Sequence, residues 1–292
     1  MRGGRGDRGV RGARDIGHGR PLRRQLISSQ ESWTLFLHDA MAATLARPEP
    51  SENDRPFRRR TEGGAPVPSR EASEQLTALL DPATTVLLTV ECQQGVVGTD
   101  SALPELAAVA RSSGALANVA RLVATAHGAG TQVMHAVAES RPDGRGGNRN
   151  ARLFRAAARL PVQQHTGSTA VRVAPPIEVA EEDLVVRRLH GLSPLAGTGV
   201  DPLLRNLGCR TLVVTGVSAN VAVPNAVFDA VNLGYTVVVP ADAIAGVPAE
   251  YTPALVRNTL ALVATVTTTD AVLRAWRRPG ARPGTSPVAG PG

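Results

Sequence analysis

Residues 211–223 read Thr-Leu-Val-Val-Thr-Gly-Val-Ser-Ala-Asn-Val-Ala-Val, and this run says most about the architecture of the chain. Its first half, Thr211–Val217, is short and largely apolar, which predicts a buried strand. A helix is predicted next over Val221–Leu233 and ends at Gly234, and Thr236–Val239 predicts another strand. The unit is therefore strand, helix, strand.

The same alternation continues on both sides of this unit. Further strands are predicted at Val86–Val90, Gln132–Val137, Asp183–Leu189 and Thr265–Thr268. Further helices are predicted over residues 116–127, 200–207 and 252–264, with a short one ending at Leu160. Strands that alternate with helices form right-handed βαβ units. The sequence therefore predicts an α/β fold, a Rossmann-like three-layer sandwich with a mainly parallel sheet and helices on both faces.

Both ends of the chain differ from this middle part. Residues 1–75 begin with an Arg/Gly-rich run and are predicted to be a disordered tail, apart from a helix-like segment over Trp33–Leu45. The domain is expected over residues 76–277, followed by a flexible tail over 278–292. The net charge is +7, and every basic residue except histidine is arginine. The Arg-rich N-terminal tail is expected to bind nucleic acid only non-specifically, if at all.

Composition also sets the expected surroundings. Two cysteines do not indicate a disulfide framework, so a cytoplasmic setting is expected. The sequence has no run of about 18 apolar residues, so no membrane span is predicted. The start of the chain also lacks the apolar stretch of a secretory signal.

Ligands of parallel α/β sheets bind at the carboxyl ends of the strands. This rule selects four segments: Glu91–Gln94, His135–Ser140, Arg187–His190 and Gly216–Ala222. The chain has no G-x-G-x-x-G after the first strand and no P-loop, so a nucleotide-binding site is not indicated.

The run over 211–223, with its continuation through Asp242, resembles the signature of isochorismatase-like hydrolases. The first strand, which ends in Val90-Glu-Cys-Gln93, resembles the family's strand ending in Asp-x-Gln. The resemblance covers roughly Thr84 to Trp276. It implies an isochorismatase-like hydrolase fold and, in most members, an Asp–Lys–Cys set in which the cysteine attacks an amide carbonyl.

This chain replaces all three of those residues. The Asp position holds Glu91, the Lys position falls at Arg187 or, as the better match, Arg188, and the Cys position holds Ala222. Cys92 is expected to point away from Glu91, and Cys209 is expected at the opposite edge of the sheet. Thiol chemistry at the family position is therefore not expected.

Two interpretations remain open. In the first, the protein is a hydrolase of a small carboxylated or amide-type metabolite that works without a cysteine. Glu91 is then the acid or base, if burial raises its pKa, and Arg188 binds a substrate carboxylate with its planar fork. Alternatively, the domain is a catalytically inactive relative that binds a small ligand or a protein partner. An ion pair between Glu91 and Arg188 with only a structural role is a third possibility for those residues.

Further candidates come from the resemblance and, for His190, from its place just beyond the third predicted strand. Candidate substrate-binding residues are Gln93, His190, Val217, Ser218 and Asn220. Hydrogen bonds within loops are the simpler role for Gln93, and an N-cap is the simpler role for Asn220. The bond between Val217 and Ser218 matches one that is often cis in the family. His135 is expected to be a core histidine. No cofactor and no metal are expected, and the family resemblance implies a homo-oligomer.

Overall fold

The computed structural model describes residues 70–277. Its strands are β1 Thr85–Val90, β2 Gln132–Ala138, β3 Leu184–Arg188, β4 Thr211–Val217, β5 Thr236–Pro240, β6 Ile244–Ala245 and β7 Thr265–Thr267. They form a seven-stranded sheet in the order β3-β2-β1-β4-β5-β7, with β6 paired to β4. All of these pairs are parallel, which confirms the predicted sheet.

Helices cover both faces of the sheet. They are α1 Arg70–Leu79, α2 Gln94–Val97, α3 Pro104–Ser112, α4 Ala115–Ala129, α5 Arg152–Ala157, α6 Val200–Asn206, α7 Ala222–Asn232, α8 Tyr251–Asn258 and α9 Thr269–Trp276. Helices α3, α4 and α9 pack on the face that carries Leu87, and α6, α7 and α8 pack on the face that carries Leu88. Neighbouring strand residues thus enter opposite layers, as the pleat of a strand requires. No helix within residues 70–277 is long and apolar enough to cross a membrane.

Two predicted helix ends are wrong, and the predicted start of the domain falls within a helix. The expected domain start at residue 76 falls inside α1, which begins at Arg70. The helix expected over residues 252–264 ends at Asn258, because Thr259 leaves helical geometry at φ −128°, and a 3₁₀ turn follows. The helix expected to end at Leu160 stops at Ala157. The segment Trp33–Leu45 and the tail over 278–292 lie outside the described residues.

Four helices and one strand were not expected from the sequence: α1, α2, α3, α9 and β6. Among these, α9 closes the layer on the Leu87 face. Its Trp276 is buried, and the indole Nε1–H donates to the Leu80 carbonyl oxygen at 3.2 Å. This bond ties the last described helix to the end of the first one.

Candidate functional site

A cavity of about 1220 Å³ opens at the carboxyl edge of β1, β2, β3 and β4. Glu91, Arg188 and Ala222 all border it, together with Ser218 and Asn220. The three positions that the resemblance assigns to the family's Asp, Lys and Cys therefore border one cavity. Residues from the loop and short helix over residues 141–165 also line it.

Glu91 interrupts the alternation of β1. Its φ is +49°, in the left-handed region that residues other than glycine and asparagine seldom adopt. One consequence is visible in the core, where Leu87 and Cys92, an odd number of residues apart, pack in the same layer. The turn at Glu91 leaves its carboxylate at the cavity and the following thiol in the core. Strained backbone of this kind tends to be kept at functional sites.

Arg188 pairs with Glu91. Nη2 of Arg188 donates a short hydrogen bond to Oε1 of Glu91, and the same nitrogen lies 3.4 Å from the Leu192 carbonyl oxygen. The Arg188 side chain is only 6% exposed, and its Nε and Nη1 have no hydrogen-bond partner. Buried donors are normally satisfied. Arg188 borders the cavity, whereas Arg187, whose side chain is half exposed, does not.

Helix α7 begins at the cavity with Ala222. The Ser218 carbonyl oxygen accepts hydrogen bonds from the N–H groups of Val221 and Val223, both at 3.1 Å, and so closes the turn into the helix. The N-cap residue is Val221, without a side-chain cap, so the capping role expected for Asn220 is wrong. Instead, the buried Oδ1 of Asn220 has no partner. The bond between Val217 and Ser218 is cis, as the resemblance implies.

Two of the candidate substrate-binding residues do not border the cavity. Gln93 is fully buried, and its side-chain amide pairs with both backbone groups of Ala138, at 2.8 Å each. Its Nε2 also donates to Gln164 Oε1 at 2.5 Å. Val217 is buried in the sheet. Neither residue lines the cavity, so both support its wall and make no contact with a ligand inside it.

The two histidines predicted from the sequence take different places. His190 is exposed and borders the cavity. His135 is a core residue, with Nδ1 2.7 Å from Thr89 Oγ1 and Nε2 3.2 Å from Asp183 Oδ2. Burial lowers the pKa of His135 below 6.5, against the opposing effect of Asp183. Within residues 70–277, no cluster of three or more histidine, cysteine, aspartate or glutamate side chains is placed to hold a metal ion.

Neither cysteine borders the cavity. Burial raises the pKa of Cys92 to about 12, and the nearby Glu91 carboxylate adds to the increase. Burial also raises the pKa of Cys209 to about 11. Cys209 lies in the turn before β4, at the opposite edge of the sheet as expected. A thiolate is the reactive form of cysteine, so both thiols are poor nucleophiles in these positions.

Glu139 is a cavity residue that the sequence did not single out. It follows the carboxyl end of β2, inside the segment 135–140, and its side chain is 7% exposed. Oε1 accepts a hydrogen bond from Thr166 Oγ1 at 3.1 Å, whereas Oε2 has no hydrogen-bond partner. Its position at a strand end was the available signal, but a glutamate there usually faces solvent.

The fold and the cavity define a parallel α/β domain with a site at the carboxyl ends of its strands, and comparison with known proteins gives the family. The sequence model of one protein family, the isochorismatase domain, matches residues 85–271. The chain belongs to the isochorismatase family. No curated protein sequence matches it.

Solved structures share the fold. A cysteine hydrolase from Pseudomonas syringae pv. phaseolicola is 23% identical, with 67% of this chain and 93% of that chain covered and a TM-score of 0.58. An isochorismatase family protein from Desulfovibrio vulgaris is 24% identical, with 67% and 99% covered and a TM-score of 0.58. N-carbamoylsarcosine amidase from Thermoplasma acidophilum is 20% identical, with 64% and 97% covered and a TM-score of 0.52.

Proposed function

We propose that this protein is a hydrolase of a small carboxylated or amide-type metabolite and that it works without a cysteine nucleophile. The observation that carries the proposal is the pair of Glu91 and Arg188 at the cavity wall, with two guanidinium nitrogens left unpaired. Charge is retained at the two family positions where an acid/base and a cation are expected, and only the nucleophile is missing.

Arg188 binds the substrate carboxylate in this proposal. Its Nη2 is used by Glu91, whereas Nε and Nη1 are buried without a partner, so a ligand carboxylate that reaches them does not need to displace the carboxylate of Glu91. Charge-assisted bonds from arginine to carboxylates are among the stronger hydrogen bonds in proteins. The substrate is thereby held beside Glu91, which is the positioning that acid/base catalysis needs.

Glu91 moves the proton. With an amide-type substrate, its carboxylate takes a proton from water while the water oxygen attacks the carbonyl carbon. The same proton then goes to the leaving nitrogen as the C–N bond breaks. With a carboxylated enol ether, the order is reversed: the protonated acid gives its proton to the enol carbon, and water adds to the resulting oxocarbenium ion and returns a proton to the Glu91 carboxylate. The hemiketal then gives a ketone and an alcohol as its C–O bond to the leaving group breaks. The first route needs ionised Glu91 and the second needs the protonated form, so their rates change with pH in opposite directions.

A specific observation favours a second candidate function. Ala222 borders the cavity at the place of the family nucleophile and cannot form a covalent intermediate. The alternative is therefore an inactive relative that binds a small ligand in the same cavity. Arg188 would have the same ligand-binding role in that case, and Glu91 would only hold it in place.

The test is turnover by the full chain on a panel of small amides, ureido acids and carboxylated enol ethers, with products followed by NMR. For any substrate found, Glu91→Gln should lower kcat by about 10²-fold or more. Glu105→Gln is the matched control, because Glu105 is an exposed glutamate on the rim of the cavity, and it should leave kcat unchanged. Unchanged turnover by Glu91→Gln would refute the proposal. A panel without turnover, but with a compound that raises Tm, supports the alternative.

A further inference from the structure

We infer that the cavity selects a zwitterionic ligand, a small molecule whose carboxylate is bound by Arg188 and whose protonated amino group is bound by Glu139. The inference rests on the ligand-binding role of Arg188 in the proposed function, and it adds a second anchor and a substrate class.

Glu139 carries an acceptor that nothing in the described part of the chain satisfies. Its side chain is 7% exposed, and Oε2 makes no hydrogen bond. Burying a carboxylate oxygen without a donor is costly, and natural structures seldom do it without a ligand or water in that place. Because Thr166 already holds Oε1, the carboxylate of Glu139 has a defined orientation, and Glu139 borders the cavity.

Arg187 does not fill this position. Its Nε lies 3.7 Å from Oε2 of Glu139, beyond hydrogen-bond distance, and its side chain is 53% exposed. An exposed partner at that distance is screened by water and contributes little. Glu139 therefore keeps the capacity to accept a hydrogen bond from a cationic group that enters the cavity.

Glu139 and Arg188 lie at the ends of neighbouring strands. The N–H of Glu139 donates to the carbonyl oxygen of Arg188 at 2.9 Å, and both residues border the same cavity. One of them offers unpaired donors on a cation and the other an unpaired acceptor on an anion. A ligand with only a carboxylate satisfies the first and leaves the second unpaired. An amino acid satisfies both, so the pair discriminates by charge pattern as well as by size.

The experiment measures binding of three probe series to the full chain by calorimetry. They are glycine, 3-aminopropanoate, 4-aminobutanoate and 5-aminopentanoate; the alkanoates of the same lengths; and the corresponding alkylamines. We expect at least one amino acid to bind about 10- to 100-fold more tightly than its alkanoate, the range for a charge-assisted hydrogen bond. Glu139→Gln should raise the Kd of that amino acid to the value of the alkanoate and leave the alkanoate's own Kd unchanged. The rim variant Glu105→Gln should change neither.

A second measurement needs no variant. N-acetylation of the best amino acid removes its charge and should abolish the preference in the wild-type protein. The inference is overturned if alkanoates bind as tightly as amino acids at every length, if no amino acid binds, or if Glu139→Gln keeps the preference. Carboxylate binding that Arg188→Gln abolishes, without any preference for an amino group, would overturn this inference and leave the proposed function standing. Failure of the proposed function would instead appear as unchanged turnover by the Glu91→Gln variant.

Discussion

Replacement of Glu91 by glutamine should destabilise the fold through its partner. Glutamine keeps the size of the side chain and the left-handed backbone, so the change isolates the charge. The guanidinium of Arg188, 6% exposed, then has only uncharged acceptors, the glutamine Oε1 and the Leu192 carbonyl oxygen at 3.4 Å. Removing one member of a fully buried pair costs about 3–5 kcal/mol. Glu91 is 18% exposed and the cavity admits water, so we expect about 2 kcal/mol here.

That loss corresponds to a fall in Tm of about 4–8 °C for a domain of this size. Thermal and urea unfolding followed by circular dichroism measure it. Arg188→Met should recover much of the loss in the Glu91→Gln background, because the unpaired cation is then gone. The control is Asp270→Asn, which breaks an ion pair with Arg121 whose two side chains are at least half exposed. A loss below about 0.5 kcal/mol in Glu91→Gln, or additive effects in the double variant, would refute this account of the site.

Two further predictions concern a new thiol and a buried histidine. Ala222→Cys places a thiol at the cavity, where iodoacetamide should modify it, whereas both native thiols should stay unmodified because burial raises their pKa to about 12 and 11. Mass spectrometry of the folded variant checks this, and modification of the native cysteines alone would contradict it. Burial lowers the pKa of His135 below 6.5, so the unfolded chain binds more protons and stability should fall as the pH drops below about 6.5, by at most about 1.4 kcal/mol per pH unit. Denaturation at several pH values should show a flatter profile for His135→Gln, and an unchanged slope would argue against the assignment.

Elements with a strong local pattern could be predicted from the sequence. Strand β4 has the predicted bounds Thr211–Val217, because an apolar run between turn residues has few other interpretations. Helix α1 was missed for the opposite reason. Its sequence, Arg70 to Leu79, is largely polar and has no buried residue, so it lacks the apolar pattern that predicts a helix.

The candidate site was predictable by position but not by contact. The rule of strand carboxyl ends, together with the resemblance, selected Glu91, Arg188 and Ala222, and the structure adds that all three border one cavity. It could not separate Gln93, whose side chain turns into the wall, from residues that face the cavity. It also could not give the left-handed turn at Glu91, which depends on neighbouring strands, or the unpaired oxygen of Glu139.

Gln93 has a consequence for the thermodynamics of binding. Its amide holds the end of β2 and the loop at Gln164 together before any ligand arrives. A wall that is already fixed loses little conformational entropy when the ligand enters, so more of the interaction energy appears as affinity. The cavity should therefore be preorganised and select ligands by shape. Association should be limited by diffusion and by the fit of the ligand, without a slow ordering step.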